Sequence, residues 1–176
     1  MAEDMILINR APVLTLWAAV VAERLGFGWE EALSLGKAVA GLNAQAKGRA
    51  LGIFEPRPGK VREARERKHD EEFWIDLCGR AVPAKNTEEG VRAVAGATTI
   101  SADSVRRYLE SKFGEYLHLV RQTMVELAAA FKPEDLAVQA FSLYERFRPE
   151  IPRGKRGSGA KGELNLKLIL SLISKA

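Results

Sequence analysis

Cysteine is almost absent from this chain. Cys78 is the only one in 176 residues, so no internal disulfide can form and no multi-cysteine zinc site is available. Histidine is nearly as scarce, with two, and aromatic residues make up 7%. Long apolar runs are missing as well. The longest, from Ala11 to Ala22, is interrupted by Thr15 and stopped by Glu23, too short to cross a bilayer. The opening Met1-Ala2-Glu3-Asp4-Met5 is acidic where a secretory signal would be basic, so the expected location is cytoplasmic, with no membrane partner. There is no serine-hydrolase elbow, no Rossmann glycine pattern and no repeat of solenoid length. Gly154-Lys155-Arg156-Gly157-Ser158-Gly159-Ala160-Lys161 lacks P-loop spacing, because Ala160 separates the last glycine from the lysine. These absences point away from an enzyme and call for no cofactor.

What is present suits a folded core. Hydrophobic residues make up 47% and charged residues 28%, and the net charge is +4. The expected fold is all-α, a single helical domain over 1–176 with about six or seven helices and at most one short β-hairpin near 73–83. Within it, 1–55 reads as an N-terminal helical hairpin, 86–147 as a helical core and 148–162 as a basic Gly/Pro-rich loop. The first helix is capped by Asn9, carries Pro12 in its first turn, and stops before Gly26. A second should run from Glu30 to Ala50. Its small residues Ala32, Gly36, Ala40 and Ala44 recur every fourth position. Such a stripe lets a backbone approach closely, either the first helix or a second copy in a homo-oligomer.

Phe73-Trp74-Ile75-Asp76-Leu77 and Arg80-Ala81-Val82-Pro83 flank Cys78-Gly79 as a hairpin would, with Pro83 restricting it to an edge. Beyond it, Asn86 or Thr87 is expected to cap a helix ending near Gly96. Ser101 should cap the next, Ala102 to Phe113, and further helices follow over Glu115 to Phe131 and from Pro133. Leu164 to Leu172 fits both periods, and a short helix is favoured. Trp17, Trp29 and Trp74 read as core anchors.

The stretch from Val94 to Leu109 resembles a DNA-binding helix-turn-helix. Ala95 stands at the small position of the first helix, Ile100 at the apolar entry, Ser101 at the cap and Val105 at the buried position of the second. The resemblance implies that Ala102 to Phe113 is a recognition helix, whose Ser104, Arg106, Arg107 and Lys112 would reach bases or phosphates. A second cationic stretch, Arg146, Arg148, Arg153, Lys155, Arg156 and Lys161, is threaded with glycine and could follow a phosphate backbone without reading sequence. The leading expectation is therefore a non-enzymatic DNA-binding or regulatory protein.

Two other classes compete. One is a protein–protein interaction module that uses the small-residue stripe. The other is a di-iron helical protein: Glu66 with His69 and Glu115 with His118 are Glu-x-x-His pairs, which on inward-facing helices hold paired metals. Glu30 or Glu31 and Glu88 or Glu89 would complete that set.

Overall fold

The computed structural model describes residues 5–46, 71–150 and 161–173. The elements run β1 (Met5–Asn9), α1 (Arg10–Arg24), α2 (Trp29–Ala46), β2 (Glu72–Leu77), β3 (Arg80–Thr87), β4 (Gly90–Ala95) and β5 (Thr98–Thr99). There follow α3 (Ala102–Phe113), a 3-10 turn (Gly114–Tyr116), α4 (Leu117–Ala129), α5 (Pro133–Phe147), β6 (Lys161–Asn165) and α6 (Leu166–Ser171). This is a mixed α/β fold with two antiparallel sheets, which corrects the all-helical expectation.

α1 is the axis of the molecule. Every residue from Pro12 to Ala22 is buried, so the helix is covered on all sides rather than along one stripe. Its one polar residue in that span, Thr15, donates its hydroxyl to the Ala11 carbonyl at 2.8 Å. Trp17 is fully buried; its indole N–H donates to the Ala140 carbonyl at 2.9 Å and its ring meets Phe147 edge-on at 5.3 Å. α2 packs closely against α1 because Gly36 has no Cβ. One built there would lie 2.5 Å from the Thr15 carbonyl oxygen and 2.9 Å from the Ala19 nitrogen. Ala32 and Ala40 of the same stripe are buried and Ala44 is exposed, so the stripe is largely taken up inside the chain.

The four-stranded sheet, in order β2-β3-β4-β5, is a meander of two-residue turns. Cys78 and Gly79 form the first, both left-handed at φ 48° and 76°, as a type I′ turn demands. Gly96, at φ 63°, opens the last, between Ala95 and Thr98. Phe73, Ile75, Leu77, Val82, Ala84, Val91 and Ala93 form its buried face. β3 is an inner strand although it contains Pro83. Counting from the tight turn, Pro83 and Trp74 form a non-hydrogen-bonded pair, and β4 pairs with β3 only up to Ala84. The missing N–H therefore has no partner to lose.

The far edge of β4 is closed by α2. Val91 N–H donates to the Glu31 carboxylate at 2.9 Å and Ala93 N–H to the Ser34 hydroxyl at 2.8 Å, which in turn donates to the Ile100 carbonyl. Polar side chains on a helix thus finish a strand edge that would otherwise be open.

The helix expected between Asn86 and Gly96 is absent. Thr87 instead accepts from Glu89 N–H and donates to the Gly90 carbonyl, organising a hairpin turn between β3 and β4. Thr and Asn serve turns as readily as helix caps, and here the sheet prevails. The second sheet joins β1 to β6, pairing Met5 with Asn165 and Asn9 with Lys161. The Leu-rich tail divides at Asn165: residues up to it form β6, and its side chain then caps α6 by accepting from Lys167 and Leu168 N–H.

Candidate functional site

α3 forms as its cap predicts. Ser101 Oγ accepts from Ser104 N–H, and Ala102, Val105, Leu109 and Phe113 face inward. The first part of the stretch matched to a helix-turn-helix, Val94 to Thr99, is the end of β4, a turn and β5. Of the four polar residues assigned to α3, Ser104 is exposed and donates its hydroxyl to the Ser101 carbonyl at 2.9 Å. Arg106 is held by the Asp103 carboxylate and by Glu30 of α2, 3.1 Å away; these bonds raise its pKa. Arg107 and Lys112 are exposed. Lys112 lies near Lys37, whose ammonium sits 3.9 Å over the Tyr108 ring; burial first, then Lys112, lowers the Lys37 pKa.

The second cationic stretch has a different setting. Its described ends, Arg148 and Lys161, both come to the N-terminal end of α1. Arg10, the first residue of that helix, donates its Nε to the Pro149 carbonyl at 2.7 Å. The Arg148 guanidinium lies 5.9 Å from the centre of the Tyr144 ring, whose hydroxyl donates to the Arg10 carbonyl at 3.5 Å. Burial first, and then the charge of Arg148, lower the Arg10 pKa, with Tyr144 and then Glu150 opposing them. Lys161 stands across the β1–β6 ladder from Asn9, on its outward face. No acidic residue occupies the first turn of α1. Arg10 stands here at the positive end of the α1 macrodipole, against the usual electrostatic preference, whereas Arg148 closes the C-terminal end of α5. Arg153, Lys155 and Arg156 lie outside the described residues.

A groove opens where α2, α3 and the start of α4 meet. Its volume is about 370 Å³, and it is lined by Trp29, Leu33, Arg106, Leu109, Glu110, Gly114, Glu115, Leu117, His118 and Arg121. Arg121 lies on the Trp29 ring, 3.6 Å from its centre, and pairs with Glu23 of α1 at 3.6 Å. Glu115 and His118 thus share one groove. Their would-be metal partners Glu66 and His69 lie outside the described residues. Glu30 is engaged with Arg106, and Glu31 caps Gly28 and Val91. Among the described residues no group of three or more metal-ligating side chains occurs.

Cys78 is buried, and burial pushes its thiol pKa far up, so it stays protonated. Trp74 corrects its core-anchor reading: it is 68% exposed on the outer face of β2, whereas Trp17 is in the core. Sequence reading missed Arg10, Trp29 and Arg121 as site residues. The signal for Arg10 was available, a cation directly after a helix cap with no acid in the next turn. Comparison with family models, with curated proteins and with solved structures gives no match. Among the described residues no helix is long and apolar enough to cross a membrane.

Proposed function

We propose that this protein binds DNA through its phosphate backbone, at the N-terminal end of α1. One observation carries the reading: both described ends of the cationic stretch 146–161, Arg148 and Lys161, are anchored beside Arg10, where a helix N-terminus adds its own positive end. The ten residues between Glu150 and Lys161 add Arg153, Lys155 and Arg156 and no acid. Arg148 and Lys161 form no ion pair with any described residue; cations in that state suit phosphates, and contacts of this kind position a duplex without reading its bases. The α3 cations fit the role less well. Arg106 is already neutralised by Asp103 and Glu30, and Glu110 stands one turn after it.

The test is fluorescence anisotropy of a labelled duplex titrated with the full chain. Three phosphate contacts give a log–log salt slope of about −3. Arg148→Glu combined with Lys161→Glu is expected to weaken binding tenfold or more, and Arg106→Glu with Arg107→Glu by less than about threefold. Absence of binding at low salt overturns the proposal. So does a loss confined to the α3 pair, which would assign the contact to that helix instead.

A further inference from the structure

The groove between α2, α3 and α4 has a second chemistry, opposite in sign to the basic end. Its floor is apolar: Leu33 and Leu109 are buried, and Trp29 and Leu117 are half-buried against the core. Two guanidiniums reach it, yet both are already occupied. Arg106 is shared between Asp103 and Glu30, and Arg121 is stacked on Trp29 and paired with Glu23. Glu110 and Glu115 are exposed on its lining and form no ion pair with any described residue. The lining thus holds two guanidiniums, each already paired with carboxylates outside it, and two carboxylates without an ion pair to any described residue.

The backbone adds to this bias. Glu110 is in the last turn of α3, and Glu115 follows the positive-φ Gly114 that ends it. Glu110 therefore stands at the negative end of a helix macrodipole, where a cation is favoured and an anion is not; Glu115 stands in the turn between that end and the start of α4. Trp29 already holds one cation on its face, as the quadrupole of an indole ring does.

We infer that this groove binds a small organic ammonium ion carried on a flat apolar body, its charge between Glu110 and Glu115 and its body on Leu33, Leu109, Leu117 and the stacked Arg121. The volume lies at the lower end of the range for small-molecule sites, which fits a ligand of about one ring with a short amine arm.

The probes are protonated 2-phenylethylamine, its neutral isostere 2-phenylethanol, and 3-phenylpropionate, followed by calorimetry and tryptophan fluorescence on the full chain. A blocked lysine, Nα-acetyl-lysine amide, distinguishes a free aromatic amine from a side-chain ammonium. Saturable binding of the amine is expected, with the alcohol and the blocked lysine each at least tenfold weaker and the carboxylate silent. Glu110→Gln combined with Glu115→Gln should reduce amine affinity about tenfold and leave the circular dichroism spectrum and melting temperature in place, since both side chains are exposed. Leu109→Ala gives a separate readout, weakening the amine through the floor. The inference is overturned if the amine does not saturate below about 10 mM. Equal binding of amine and alcohol, preference for the carboxylate or the blocked lysine, or full affinity in the double glutamine variant would overturn it as well.

Discussion

At the N-terminal end of α1, cations without an ion pair to any described residue gather as Arg10 and Arg148. Near its C-terminal end, where Glu23 meets Arg121, the unpaired groups are the carboxylates Glu110 and Glu115. Fifteen helical residues separate the two regions by about 21 Å. Each sets one charge against a helix macrodipole, Arg10 at the start of α1 and Glu110 in the last turn of α3, at a cost of about 0.3 to 1 kcal/mol per charge. Arg148 at the end of α5 and Glu115 ahead of α4 are placed with it. Sequences usually avoid such placements, and departures concentrate at functional sites. Between the regions α1 is buried from Pro12 to Ala22 and apolar except for Thr15, so the helix acts as a rod that holds two unlike surfaces apart. Failure of DNA to bind would leave the amine groove untouched, and the reverse holds equally.

The largest expected effect comes from breaking the rod. Trp17→Ala removes a fully buried ring, its hydrogen bond to Ala140 and its edge contact with Phe147. A loss of about 3 to 5 kcal/mol in urea unfolding is expected. Both surfaces should then fail together, because the helix that spaces them is no longer held. A loss under about 1 kcal/mol would mean that α1 is not their common frame.

A smaller effect sharpens the basic end. Tyr144 sits against Arg10 and Arg148, whose charges pull its pKa down, yet burial prevails and pushes it up to about 12. A phenol whose folded pKa lies above its unfolded value of about 10 contributes stability fully below pH 10, and that contribution is lost as pH rises toward 12. Wild-type stability should drop by about 2 to 3 kcal/mol across that window, and Tyr144→Phe should lack that part of the drop. Identical alkaline profiles for the two proteins would show that Tyr144 ionises as an exposed phenol does.

Much of the helical half was legible. α3 and α5 carry their own punctuation in Ser101 and Pro133, and Asn9 stands at the N-cap position of α1 without a side-chain cap hydrogen bond; local signals decide local structure. The sheets were not. β1 is too short to announce itself, and its partner β6 begins more than 150 residues later, so nothing near Met5–Asn9 in the chain marks it as a strand. The span around Thr87 to Gly96 carried cap residues and a small apolar run that suit a helix as well as a hairpin; its pairing with β3 and the edge contacts from Glu31 and Ser34 of α2 decide it. For the same reason Arg106 was legible as a cation and illegible as a neutralised one. The carboxylate that holds Arg106 from α2, Glu30, comes from 76 residues away.

The smallest expected effect tests the acidic end alone. Ser101 caps α3, which supplies Arg106, Leu109 and Glu110 to the groove, through a single bond from Ser104 N–H at 3.3 Å. Ser101→Ala leaves that N–H at the surface, where water replaces the hydroxyl, so the cost is about 1 kcal/mol and not the larger price of a buried donor. Fraying at the start of α3 reaches Arg106 only through its first turns, whereas Val105, Leu109 and Phe113 keep the rest docked. Chemical denaturation should therefore show a small shift in midpoint with no change in slope. Duplex binding should be unaltered, because no residue at the N-terminal end of α1 depends on that cap. If Ser101→Ala instead weakens the duplex as strongly as Arg148→Glu with Lys161→Glu, then α3 belongs to the DNA-binding surface, and the division of the molecule into a basic end and an acidic groove is wrong.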